Sequence, residues 1–387
     1  MDERSRRRIA VITGTRAEYG IVRPVLREID AHPDLELCLI AMAQHLSPEF
    51  GCTVREIESD GFVVSARLET LQSSDTGGGM ARALGLAIIQ LAQVMEMLKP
   101  DIIVATGDRG EMLAAAIIGA HMNIPVAHQH GGEISGTVDE SIRHAITKFA
   151  HIHLPATQQS AERIRRLGED ADRIHVVGAA GLDQIREGSF LSPEDVSQEL
   201  DLDLAKPVIL VSQHPVTTEI EVSGMQMRET MEAIRIVGFQ TVLIYPNSDA
   251  GGRSMCEVID EYGELPFIRR FVNAPRDLYL GVMNLASVMV GNSSSGIIEA
   301  PSFHLPFVNV GTRQTGRERG GNVVDVAHDR DQIAGAIRFS MTDLEFRASV
   351  AKTPNPYDYG PSVGRVADIL SGVKINRDLI QKRMAVE

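Results

Sequence analysis

One run late in the chain concentrates the most chemistry: Val290-Gly291-Asn292-Ser293-Ser294-Ser295-Gly296-Ile297-Ile298-Glu299. An apolar stretch feeds small polar residues and then a helical pattern. Hydroxyls and free backbone N–H groups therefore gather at a helix start, where a diphosphate is readily held. Glu299 falls a turn later, where a carboxylate can accept from both hydroxyls of a ribose. The plainer alternative is a serine-rich loop. Gly311-Thr312-Arg313-Gln314-Thr315-Gly316-Arg317 follows the next apolar run and brings positive charge through Arg313.

The first half carries similar strand exits. Thr13-Gly14-Thr15-Arg16-Ala17-Glu18-Tyr19-Gly20 is a glycine-containing turn before a helix, able to present N–H groups and Arg16 to an anion. It is not GxGxxG, so the dinucleotide fingerprint is absent, and a tight turn with Arg16 in water is the alternative. In Ile103-Val104-Ala105-Thr106-Gly107-Asp108-Arg109-Gly110, Asp108 stands at a strand tip. It is either an acid–base group or a helix N-cap, with Glu111 completing a capping box. The stretch from His128 to His144 packs ionisable groups beside Gly131-Gly132. Asp139 and Arg143, four apart on a helix, share a face and can pair there, as a surface ion pair or as part of a site. His128 and His130 alternate, as do His151 and His153, so each pair would face one way on a strand. Without an ordered carboxylate or cysteine partner, no metal and no cofactor are expected. His214 follows a buried strand and is suited to proton transfer, or is structural. Asn247 lies in the polar exit Tyr245–Gly251.

Motifs at strand ends need strands to end. Ile9–Thr13, Leu35–Met42, Ile102–Thr106, Pro125–His128, Ile152–Leu154 and Ile174–Val177 read as strands, with helices such as Ile21–Ala31 between. The alternation restarts with Val208–Val211, Thr241–Tyr245, Phe267–Ile268, Val288–Val290 and Pro306–Val310. Two successive β-α series predict an α/β protein of two Rossmann-like, doubly wound domains, divided near Gly178–Gly181 into 1–180 and 181–387. An eight-fold barrel fits less well, needing closer to about 250 residues and more uniform units. Ser362–Met384 is helical by pattern, broken at Gly372–Val373, and is counted with the second half.

At 387 residues and 43% hydrophobic content, the chain has ample material for two cores. The 38 Lys and Arg against 52 Asp and Glu leave a net charge of −14, so nucleic acid and anionic membranes are poor partners. Aromatics at 4%, with no Trp, exclude stacking platforms for single strands. Met80–Leu98 is the longest apolar stretch, but Arg82, Gln90, Gln93 and Glu96 make it a buried helix rather than a membrane span. Met1–Arg8 is basic, and Ile9–Thr13 is too short for a signal-peptide core. Cys38, Cys52 and Cys256 lack CxxC spacing, which points to a reducing compartment and hence the cytoplasm.

The blocks TGTRAEYG, TGDRGE, HGGEISGTVDESIRHAITK, HPVTTE, PNSDAGG, GNSSSGIIEA and GTRQTGRE, spanning Thr13 to Glu318, resemble the hydrolysing UDP-N-acetylglucosamine 2-epimerase family. The resemblance implies a glycosyltransferase-B arrangement, with UDP mainly on the second domain and the sugar in the cleft. It also implies a homo-oligomer, dimer or tetramer, and an activity that releases UDP from a UDP-2-acetamido sugar while inverting C2. That would be a first step towards sialic, legionaminic or related acids. By position, Arg16, Arg109, His214, Asn247, Ala274, Ser293, Ser294, Glu299 and Arg313 match UDP contacts. Asp108, Asp139 and Arg143 match residues around the reacting sugar, with His214 and His130 as further proton carriers. Two positions depart from the family pattern. His130-Gly131-Gly132-Glu133 replaces Glu-Gly-Gly-Glu, which points to UDP-diacetylbacillosamine beside UDP-N-acetylglucosamine as substrate. Gly20 replaces a Ser seen in some members. The competing classes are a transferase of the same fold, which would show no exchange at C2, and a non-catalytic nucleotide-sugar sensor, which would not need Asp108 and Asp139.

Overall fold

The computed structural model describes residues 6–72, 74 and 76–385, so Met1–Ser5 of the basic N-terminal run lie outside it. The first six strands are β1 (Arg7–Thr13), β2 (Leu35–Met42), β3 (Val64–Leu68), β4 (Ile102–Thr106), β5 (Val126–Gln129) and β6 (Ile152–Leu154). They pair in the order β3-β2-β1-β4-β5-β6, all parallel. The second six are β7 (Val208–Ser212), β8 (Gln240–Ile244), β9 (Ile268–Phe271), β10 (Val288–Gly291), β11 (Phe307–Val310) and β12 (Val323–Val326). Their order, β9-β8-β7-β10-β11-β12, is also all parallel and repeats the first pattern. Helices cover both faces of each sheet, so the inner strands are unbroken apolar runs rather than alternating ones. Each sheet reverses its winding once, between β1 and β4 and between β7 and β10. Outside the carboxyl ends of the strands at such a reversal, a crevice opens.

The structure corrects several expectations. Ile174–Val177 forms no strand: only Ile174 makes a single bridge, to His153, at the edge of the three-residue β6. The outermost strands β3 and β12 were missed because they are short and mostly half-exposed, without a buried run. Met80–Leu98 is not a buried helix. It belongs to Gly77–Leu98, which buries Ala87, Leu91, Val94 and Met95 against the first domain and leaves Ile89 and Met97 exposed. This 22-residue helix is long and apolar enough to cross a membrane, yet one stripe of it is part of the domain's helical layer.

The chain passes from the first sheet's side to the second through Gly178–Gly181, and it also returns. Helices Val363–Gly372 and Arg377–Ile380 place Val366, Ala367, Leu370 and Leu379 in the first domain's core, beside Val22, Val25, Leu26 and Ile29. Asp183, just past the outward crossing, accepts from Ser362 N at 2.7 Å and Val363 N at 2.9 Å, capping the returning helix. The two crossings therefore run side by side.

Candidate active site

The polar strand exits of both domains open into one cleft between them. From the first domain it is lined by Arg16, Asp108, Arg109, His130, Asp139 and Arg143; from the second by His214, Asn247, Ala274, Ser293, Ser294, Glu299 and Arg313. Local capping sets several of these side chains. Thr15 Oγ1 accepts from Glu18 N at 3.3 Å and starts the helix Arg16–Ala31, placing Arg16 at its mouth. Thr137 Oγ1 accepts from Asp139 N at 3.2 Å and starts Val138–Phe149, which carries Asp139 and Arg143.

The charged groups pair differently from the sequence expectation. Asp139 and Arg143 do not pair with each other. Arg143, almost fully buried, forms an ion pair with Asp108 and donates to the Glu133 carbonyl at 2.9 Å. Asp139 lies 3.6 Å from Arg313 of the other domain. Asp108 is not a helix cap: Arg109 holds the N-cap position of Gly110–Met122, and no side chain caps it. Burial alone would raise the Asp108 carboxyl, but Arg143, with Arg317 and Arg313 beyond, holds it below the usual carboxylate range. Burial and then the Asp108 charge push Asp139 upward, with Arg313 opposing. The two carboxylates thus differ in proton affinity while sharing one cleft, an arrangement that suits one to accept a proton and the other to give one.

His214 is half-buried, and desolvation followed by the Arg313 charge lowers it to about 3, so its imidazole is neutral. Its Nδ1 accepts from Asn247 N at 3.2 Å, which leaves the ring proton on Nε2 as a donor. Asn247 Nδ2 in turn donates to Asp249 at 2.7 Å, and Asp249 meets Arg109 across the domain boundary at 3.2 Å. Arg16 donates to Glu56 at 2.8 Å, so it reaches the cleft already tethered.

Ser293 and Ser294 precede a helix of only four residues, Ser295–Ile298, followed by a 3-10 turn. The expected helix start shrinks to a single turn whose N–H groups are largely spent internally, Ser293 N on the Ser212 carbonyl at 3.2 Å and Gly296 N on the Ser293 carbonyl at 3.2 Å, so the serine hydroxyls are what remain for a ligand. Glu299 is not open to solvent: Arg276 donates to it at 2.9 Å, and both side chains are buried. The departure at Gly20 finds its reason here, because a Cβ there would press on the Arg276 stem at 2.9 Å.

The histidine alternation does not form a site. His128 ends inside β5, where Thr147 and the Gly107 carbonyl take its two nitrogens at 3.1 and 2.8 Å. His130 lies past the strand in the left-handed region, with φ of 61°. Among the described residues no three His, Cys, Asp or Glu side chains come together as a metal group.

Sequence reasoning missed Glu133, Arg317, Arg276 and Glu18. Glu133 joins His130 at 2.8 Å and is ion-paired with Arg317, 184 positions away. All but Arg276 lie in motif blocks quoted above; no local spacing signals pairing at such range. Glu18 is fully buried at the cleft wall, where burial and then the Glu111 charge raise its carboxyl well above the ordinary value.

Two parallel-sheet domains closing on a cleft of arginines and paired carboxylates define a two-domain enzyme of the glycosyltransferase-B architecture. The chain belongs to the UDP-N-acetylglucosamine 2-epimerase family, whose sequence model matches residues 27–371. It is 38% identical to the UDP-N,N'-diacetylbacillosamine 2-epimerase (hydrolyzing) of Legionella pneumophila, over 97% of this chain and 98% of that one. It is 34% identical to a UDP-N-acetylglucosamine 2-epimerase of Neisseria meningitidis, with the same coverage of each chain. In fold it is similar to the crystal structure of a Neisseria meningitidis UDP-GlcNAc 2-epimerase bound to UDP-GlcNAc, with a TM-score of 0.80, 18% identity, and coverage of 94% of this chain and 99% of that one. These relatives favour the epimerase over the transferase and the sensor.

Proposed function

We propose that this chain is a hydrolysing 2-epimerase that breaks the bond between UDP and a 2-acetamido sugar and returns the free sugar inverted at C2. The observation that carries the reading is the pair Asp108 and Asp139, one held ionised by Arg143 and the other biased towards its protonated form, in a cleft closed from both domains. A C2 proton beside an acetamide is barely acidic, so elimination needs a base at C2–H and donors on the departing diphosphate. The electron pair of the C2–H bond becomes the C1=C2 double bond as the C1–O bond to UDP breaks. Water then adds its hydroxyl at C1, and a proton returns to C2 on the opposite face. Asp108 is suited to accept the first proton and Asp139 to supply the second.

On the nucleotide side, Arg16, Arg109 and Arg313 balance the diphosphate charge. Ser293, Ser294, the His214 Nε2–H and Asn247 donate to it, Glu299 meets the ribose, and Ala274 borders the base. The cytoplasm is the compartment that fits three unbridged cysteines. The half-exposed apolar face of Gly77–Leu98 supports a homo-oligomer. His130 in place of a glutamate, together with the Legionella relative's named substrate, favours UDP-diacetylbacillosamine and a place at the start of a sialic- or legionaminic-type acid pathway. Incubation with UDP-diacetylbacillosamine and with UDP-N-acetylglucosamine in heavy water, followed by proton NMR, tests the reaction and the choice of substrate together. Free UDP, a C2-inverted free sugar and deuterium at C2 are expected. UDP release without C2 inversion or exchange would overturn the reading.

A further inference from the structure

His130 sits in a loop that is fixed on several sides. Its backbone sits at φ of 61°, a conformation that costs energy for a side chain of this size. It persists because the loop around it is fixed. His130 N donates to the Leu154 carbonyl at 3.2 Å, Arg163 takes the Gly132 carbonyl at 3.1 Å, and Arg143 takes the Glu133 carbonyl at 2.9 Å. Gly132, at φ of 78°, lies so close to the Ser160 carbonyl oxygen that any Cβ would collide with it. The strained histidine is thus aimed by design of the loop.

Its target is Glu133. His130 Nδ1 lies 2.8 Å from Glu133 Oε1, while Arg317 occupies Oε2. Glu133 is 2% exposed, and although burial opposes its charge, Arg317 and His130 hold the carboxyl well below the usual range. An ionised carboxylate only accepts hydrogen bonds, so Nδ1 must carry the proton. His130 lines the cleft, and with Nδ1 turned to Glu133 its Nε2 is left with a lone pair.

We propose that Glu133, anchored by Arg317, is a positioning residue that fixes His130 as the Nδ1–H tautomer with Nε2 facing the sugar as a proton acceptor. His130 thereby supplies the acid–base position that a glutamate holds elsewhere in the family, and it does so with polarity opposite to His214, whose Nε2 donates. The inference rests on the epimerase reading for its reaction, but the tautomer is a property of the protein alone.

Two measurements decide it. Nitrogen-15 NMR of histidine-labelled wild-type protein, with His130 assigned by its loss in His130→Gln, should show a protonated Nδ1 and an unprotonated Nε2 above the ring's pKa. A proton on Nε2 would overturn the proposal, whatever the enzyme acts on. In Glu133→Gln the side chain can instead donate to Nδ1 and turn the tautomer over. Turnover should then fall by about 10² or more, the usual scale for a general acid–base group, with UDP affinity unchanged and the pH–rate profile altered. Near-normal turnover with an unaltered profile would reduce Glu133 to a structural partner of Arg317. Should Glu133→Gln fail to fold, the wild-type tautomer still decides. An inactive wild-type enzyme that shows the Nδ1–H tautomer would instead count against the epimerase reading.

Discussion

Asp108 touches Arg143 and no helix end, so its charge is the feature to remove. Asp108→Asn should lower turnover by about 10² or more while UDP binding measured by calorimetry survives. Turnover close to wild type would leave Asp108 as a charge partner for Arg143 only. Glu299 calls for a different substitution from the obvious one. Glu299→Ala would strand the buried Arg276 guanidinium and cost about 3–5 kcal/mol of stability, confusing binding with folding. Glu299→Gln keeps an acceptor for Arg276 and should weaken UDP binding in a folded protein; unchanged UDP affinity would remove the ribose assignment. At His130, a charged carboxylate would replace a neutral ring that presents a single Nε2 lone pair to the sugar, and Glu133 would lose its Nδ1–H donor. His130→Glu should therefore shift the ratio of kcat/KM from UDP-diacetylbacillosamine towards UDP-N-acetylglucosamine by an order of magnitude or more. An unchanged ratio would mean that His130 does not read the sugar.

At the scale of elements, the interior strands were legible and the edges were not. Ile102–Thr106 is buried along its whole length and reads as a strand at sight, whereas Val323–Val326, mostly half-exposed, carries no comparable signal. The strand exits were likewise legible, because glycine and polar residues must follow a buried parallel strand. Their partners were not. The Glu133–Arg317 and Glu299–Arg276 pairs join residues that only the closed tertiary structure brings together, and an i, i+4 spacing misassigned Asp139 to Arg143. One further cluster ties elements together: Glu169, buried, meets His153 at 3.0 Å, Lys148 at 2.6 Å and Lys382 at 2.5 Å. Burial opposes its charge, but hydrogen bonds from these three lower its carboxyl from 4.5 to about 2. A carboxyl depressed by folding contributes its full stability above its unfolded pKa and loses it as pH falls through the folded one. Stability should therefore drop between pH 4.5 and 2, and Glu169→Gln should flatten that part of the denaturation-midpoint curve. An equally steep decline in the variant would assign the acid sensitivity to other carboxylates.

At the scale of the whole molecule, the cleft is drawn shut by contacts between domains. Gly136 N donates to the Arg313 carbonyl at 2.9 Å, and a Cβ on Gly136 would collide with the Thr312 carbonyl oxygen. Arg23 reaches Asp277 at 2.5 Å, and Asn273 Nδ2 reaches the Phe50 carbonyl at 2.7 Å. Gly136→Ala should leave thermal stability nearly intact, lower kcat/KM, and keep the radius of gyration measured by X-ray scattering larger than wild type under saturating UDP. A variant that compacts as fully as wild type would show that this contact does not govern closure. The returning C-terminal helices bear on how the molecule comes into being. During synthesis the first sheet is complete by Leu154, yet the residues that finish covering its Val22–Ile29 face, Val366 to Leu379, are made only after the second sheet. The first domain must therefore stand with an apolar flank open while the second domain is made beside it, and it is covered only when Val366–Leu379 dock.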